Sequence, residues 1–170
     1  MLRVIFEDKR LTAWLQISLI LFLLVALAVL APIASFFNAT QFSDAIYAVY
    51  GFICHQFPER SFWILYHPLA VCARCFGIYA GVFIGALTLR MIFGLAKRNS
   101  ISPIWVLLSL IPMGLDWSLT FFGIWENTET SRLLTGGIVG IACGISLTNS
   151  LLNLRFPSEM KEPPSGGSDY

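Results

Sequence analysis

Four stretches of this chain are long and apolar enough to cross a lipid bilayer, which takes about 20 helical residues. They are roughly residues 11–37, 71–96, 102–125 and 132–154. Backbone N–H and C=O groups in hydrocarbon must be satisfied within the spanning structure, so only helices and closed barrels are possible there. Segments of this length fit helices. The expected fold is an all-α integral membrane protein, a four-span helical bundle. Composition agrees: 56% of the 170 residues are hydrophobic and 12% are charged, and mean hydropathy is +0.73. That is a membrane profile, not that of a soluble domain. A net charge of +1 implies no general attraction to nucleic acid. One transmembrane domain over 1–155 is expected. The last residues, 156–170 (FPSEMKEPPSGGSDY), are rich in Pro, Gly, Ser and charge, and read as a disordered cytoplasmic tail.

The first apolar run is too long for a signal peptide, and no good small-x-small cleavage site follows it, so it reads as a retained span. Basic residues set the orientation. Arg3, Lys9 and Arg10 precede the first span, Arg90, Lys97 and Arg98 lie around the link between the second and third, and Arg155 and Lys161 follow the fourth. With four spans these groups share one side, against Arg60, Arg74 and Arg132 on the other. Both termini are therefore expected in the cytoplasm, in the inner membrane of a prokaryote. Trp14 and Trp105 then fall near the inner interface and Trp125 near the outer one.

Between the first two spans, SDAIYAVYGFICHQ alternates small, aromatic and aliphatic residues at near-helical spacing. It reads as a short helix at the outer interface, capped by Ser43 and delivering Cys54, His55 and Gln56 beside the turn-like FPER. The second span carries Gly77, Gly81 and Gly85, and the fourth carries Gly136, Gly140 and Gly144. Glycines of period four let backbones approach closely, and these two spans run in the same direction, so parallel packing is expected. The competing reading is that glycine is simply common in membrane helices. In the third span Pro112 should kink the helix. Asp116 follows it, and a carboxylate at that depth needs a partner in the protein interior, as a structural helix–helix contact or as a site residue.

The polar residues gather at one face. Cys54, His55, Gln56, Arg60, His67, Cys72, Arg74 and Cys75 lie at the outer ends, as do Glu126, Asn127, Arg132 and Thr135. CHQFPERSF followed by PLAVCARCFGIYAG resembles an uncharacterised family of small bacterial and archaeal membrane proteins, domain of unknown function 2085. The resemblance runs from Asp44 to Gly144 and continues in Asp116 and ENTETSRLLTGGIVG. It implies a multi-span membrane protein with family positions at Cys54, His55, Gln56, Arg60, Cys72, Arg74, Cys75, Asp116 and Arg132, with His67 a looser match. It carries no established activity.

Three chemistries fit the cluster. Cys72 and Cys75 have the spacing of a zinc knuckle, and Cys54 and His55 could complete four ligands of a type zinc accepts. Adjacent residues rarely both reach one metal, so His67 or Asp116 could substitute. The alternative is thiol–disulfide exchange by Cys-Ala-Arg-Cys at a helix N-terminus, where the dipole and Arg74 favour thiolate. A purely structural disulfide is the simplest outcome in an oxidising compartment. Third, Gln56, Arg60, Arg74, Asp116 and Arg132 read as an anion pocket beside two outward helix N-termini, suited to a lipid or polyprenyl phosphate headgroup. The competing reading pairs these arginines with Glu59, Glu126 and Asp116 or snorkels them to lipid phosphate. Cys143 reads as a packing residue in the fourth span. No Ser-His-Asp order or phosphate-cradling loop is present, and GGIVG lies in mid-span. Whether the chain is an enzyme, its ligand and its oligomeric state stay open.

Overall fold

The computed structural model describes residues 2–89, 91 and 102–155, with side chains from residue 9 to residue 154. The end of the expected second span, the basic link with Arg90, Lys97 and Arg98, and the expected tail lie outside the described residues. The fold is mostly helical. Its elements are α1 (Leu2–Phe36), α2 (Thr40–Gly51), a 3₁₀ turn (Pro58–Arg60), β1 (Trp63–Ile64), β2 (His67–Pro68), α3 (Ala73–Thr88), α4 (Ile104–Phe121) and α5 (Glu129–Arg155). Among the described residues, three segments are long and apolar enough to cross a membrane: Lys9–Phe36, Ile104–Phe121 and Glu129–Leu154. The 16 described residues of α3 form a shorter apolar helix.

α1 ends in a Schellman motif. Asn38 takes φ 60°, its N–H bonds Ser35 O at 3.0 Å, and Ala39 N–H bonds Ala34 O at 2.9 Å. Asn tolerates this left-handed conformation and the motif satisfies the last carbonyls of the helix. The chain then reverses. Ser43 of α2 donates to Ala31 O at 2.9 Å and lies 2.6 Å from Ser35 Oγ, while Tyr50 donates to Leu24 O. Partner numbers fall along α1 as they rise along α2, so the two helices are antiparallel. Ser43 is therefore not a cap. It is buried inside α2, whose N-cap is Ala39 with no side-chain capping bond. Its hydroxyl is shut off from water, so it bonds the neighbouring helix instead. α4 ends in the same way as α1: Gly123 has φ 69°, with Gly123 N–H on Thr120 O and Ile124 N–H on Leu119 O. α4 runs unbroken through Pro112.

α3 and α5 pack backbone to backbone. A Cβ added at Gly77 would meet the Leu133 carbonyl, at Gly81 the Gly137 carbonyl, and at Gly85 the Ile141 carbonyl. From the other side, Gly136, Gly140 and Gly144 face the carbonyls of Arg74, Ile78 and Val82. Residue numbers rise together on both helices, so the packing is parallel. All six glycines are buried. α3 also packs on α1, whereas α4 packs on α5 and leaves most of its surface exposed. One core cluster joins Ala28, Ala31, Ile46, Tyr50, Cys54, Ala70 and Val71. The other joins Ala13, Trp14, Leu89 and Leu152 at the opposite end. There Trp14 Nε1 donates to Ala86 O at 2.8 Å and Arg10 to Asn153 Oδ1 at 3.1 Å.

Candidate metal centre and its arginine network

Cys54 follows α2 by three residues, and its N–H is held to Tyr50 O at 2.9 Å. Gln56 takes φ 52° and turns the chain. Its side-chain amide donates to Tyr47 O at 2.8 Å and to Ala70 O at 2.7 Å. Both amide hydrogens are thus committed to backbone, and Gln56 ties the end of α2 to the segment leading into α3. Tyr47 adds a second tie, its hydroxyl donating to Pro68 O. Burial raises the Tyr47 phenol above its ordinary pKa, so the proton needed for that bond is retained. Between these ties, β1 and β2 form a two-stranded hairpin. Leu65 and Tyr66 turn it at φ 49° and 64°, the two positive angles of a type I′ turn. Ala70 N–H reaches back to Ala28 O of α1 at 3.4 Å.

These ties bring three sulfurs together. Cys72 is the N-cap of α3, in extended conformation, and Cys75 lies in its first turn. Residues three apart on a helix share a face. Cys54, Cys72 and Cys75 have their Sγ atoms within 4.8 Å of one another. Cys72 N–H donates to Cys54 Sγ at 3.3 Å. An N–H directed at a sulfur favours the thiolate, the form that ligates metal. Ala28, Ala31, Ile46, Tyr50 and Val71 wall the cluster, with Tyr79 packed beside it. All four cysteines are free thiols, so the structural disulfide has no counterpart here. Cys143, on α5, stands apart from the other three.

His55 lies outside the trithiol group. It is exposed, with its ring stacked on Phe57 at 5.8 Å. Cys54 points into the core, and its chain neighbour points out. His67 sits half-buried in β2 and is also outside the group, as is Asp116. Among the described residues no fourth Cys, His or carboxylate joins the three sulfurs. Three thiolates fit a thiophilic ion, and zinc takes Cys ligands at about 2.3 Å in tetrahedral sites.

Beside the sulfurs runs a polar network. Arg74 donates to Asp116 Oδ2 at 2.7 Å, linking α3 to α4. The stem of Arg74 passes over Gly136, whose added Cβ would stand 3.4 Å from Arg74 Cγ. Asn127 Nδ2 donates to the same Asp116 oxygen at 3.1 Å. Arg132 directs Nε, at 2.9 Å, and a terminal nitrogen to Asn127 Oδ1. Arg60 lies on the 3₁₀ turn, 5.2 Å from the Phe57 ring centroid. Asn127 is the hub that sequence reasoning left out of the site. Its place among the polar residues between Asp116 and Arg132 was the available signal.

Apolar helices of membrane-crossing length, gathered beside a partly buried trithiol cluster, define a class of small multi-helix protein suited to a bilayer. The chain belongs to the family described as predicted membrane protein, domain of unknown function 2085, whose model matches residues 54–146. An uncharacterised protein of Methanocaldococcus jannaschii is 40% identical over 130 residues, covering 73% of this chain and 83% of the relative. An uncharacterised protein of Methanothermobacter thermautotrophicus is 34% identical over 105 residues, covering 62% of this chain and 92% of the relative. No solved structure matches.

Proposed function

We propose that this chain is a membrane-embedded metal-binding protein. Cys54, Cys72 and Cys75 are its ligands and zinc is its metal. The observation that carries the reading is the convergence of three thiols from two segments, one buried and two half-buried, with a backbone N–H directed at one sulfur. Zinc with three protein ligands keeps a fourth position for water or an exogenous ligand, and such an ion supplies Lewis acidity or an activated water. The chain's own residues hold the sulfurs in place: Gln56 and Tyr47 fasten the Cys54 segment, and α3 mounts the other two. The setting proposed is a single transmembrane domain over 1–155 with four spans, the second being the apolar stretch 71–96 of the sequence, and α2 near the outer interface. Both termini then face the cytoplasm, and the thiols lie toward the outer face of a prokaryotic inner membrane. A neighbouring pocket for an anionic ligand completes the proposal.

The Cys-x-x-Cys at the start of α3, with a third thiol in reach, also supports thiol–disulfide exchange. Elemental analysis beside mass spectrometry of alkylated protein separates the two readings. The metal reading expects about one zinc per chain, three thiols shielded until a chelator is added, and loss of zinc in Cys54→Ser. Metal-free protein with a stoichiometric Cys72–Cys75 disulfide, isolated without oxidant or chelator, sinks it and supports exchange.

A further inference from the structure

We infer that the ends of α3, α4 and α5, together with the 3₁₀ turn, form a binding site for a phosphate group, held by Arg60, Arg74 and Arg132. The inference rests on the anionic pocket proposed above and names its ligand class, and it does not depend on the metal reading. Arg74 meets Asp116 directly and Arg132 meets it through Asn127, and the charges of Arg60, Arg74, Asp116 and Cys72 all bear on Arg132. Among the described residues the only ion pair is Arg74–Asp116. Glu59 and Glu126 are exposed, Glu129 is half-buried, and none of them is ion-paired. Positive charge is therefore in excess there: three guanidinium groups stand against the Asp116 carboxylate and the Cys72 sulfur. Like charges at close range repel, and more strongly where apolar helices exclude water.

The hydrogen bonds are also incomplete. Arg132 turns two donors onto one neutral amide oxygen, that of Asn127. Asp116 accepts from Arg74 and from Asn127 on the same atom, Oδ2. Arg74 Nε is buried with no acceptor. Arg60 has only the face of Phe57. A guanidinium carries five donors in a planar fork that matches the oxygens of phosphate. A phosphate monoester brings about −1.5 to −2 charges at neutral pH and three strong acceptor oxygens. It would offset the excess charge and supply more acceptors than a carboxylate does. The group can come from free phosphate or from a lipid monoester headgroup, and the chemistry of recognition is shared.

The full chain, purified in a detergent without phosphate, tests this. Isothermal titration with inorganic phosphate and native mass spectrometry with short-chain phosphatidic acid are the two arms, with chloride and phosphatidylcholine as controls. Saturable binding of phosphate assigns the site to the free anion. Binding of phosphatidic acid alone assigns it to a lipid headgroup. Arg60→Gln removes an exposed side chain and should fold normally. It should weaken binding about tenfold or more, the scale of one charge-assisted hydrogen bond, and leave metal content unchanged. Arg132→Gln should do the same. The inference is overturned if neither probe binds saturably, if the controls bind as well as the probes, or if both variants bind within about twofold of the parent, less than one such bond is worth.

Discussion

Adjacent residues can have opposite fates, and Cys54 and His55 show why a ligand set is hard to read from a sequence. The spacing of Cys72 and Cys75 was legible because a helix puts residues three apart on one face. No such rule governs 54 and 55. Gln56 adopts φ 52°, and the turn it makes leaves Cys54 buried and His55 exposed on Phe57. That choice depends on where the Gln56 amide finds its acceptors, Tyr47 O and Ala70 O, and these are distant in the chain. The pairing of Asp116 was more readable, since a carboxylate in an apolar span needs a cation. Arg74 provides it at 2.7 Å, with side-chain exposures of 23% and 9%. Removing one member of a fully buried pair costs about 3–5 kcal/mol. Partial exposure of Arg74 reduces the expected effect of Asp116→Asn to about 1–3 kcal/mol. A double-mutant cycle with Arg74→Gln, read by unfolding in detergent, should show a coupling of at least about 0.5 kcal/mol. Strict additivity would mean that the contact contributes nothing to stability.

The glycine repeats illustrate what an element-scale pattern can and cannot specify. Period four put Gly77, Gly81 and Gly85 on one face and Gly136, Gly140 and Gly144 on another. Gly137 and Gly114 also sit in apolar helices, outside that repeat. Geometry separates them. A Cβ at Gly81 would come within 2.9 Å of Gly140 Cα, whereas one at Gly137 finds its nearest neighbour at 3.9 Å and one at Gly114 finds nothing within 4 Å. Gly81→Ala must therefore push two backbones apart, at a cost of about 1–3 kcal/mol or more. Gly137→Ala should be close to neutral. Gly114→Ala should stabilise α4 by up to about 1 kcal/mol, the helix-propensity difference. Thermal unfolding of the three variants checks the order, and equal melting would make the seam incidental. α2 was less legible. Ser43 looks like a cap in sequence, but the reversal at Asn38 puts the N-cap four residues earlier, at Ala39, and turns Ser43 onto α1. The αL asparagine that causes the reversal carries no sequence mark stronger than its residue type.

At the scale of the molecule, hydropathy made the helices visible, while their packing order came from contacts between distant segments. α3 lies between α1 and α5, and α4 leans mainly on α5, with the Arg74–Asp116 pair reaching α3. The proposed orientation can be checked with reporter fusions after Phe57 and at Tyr170. They should report opposite sides of the membrane, and the same side at both points would refute four spans. The two features at the cysteine-bearing end draw on different parts of the chain. The sulfurs, and the residues that wall and fasten them, fall between Leu24 and Tyr79. The arginine network needs Asp116, Asn127 and Arg132, and Asp116 lies 42 residues after Arg74. A chain made from its N-terminus thus has every part of the thiol nest before α4 is synthesised. During that interval Arg74 already stands between two cysteines, with its carboxylate partner still on the ribosome. Assembly of the thiol group and completion of the arginine network are in this way separable steps in the making of each new molecule, with the sulfurs first in order.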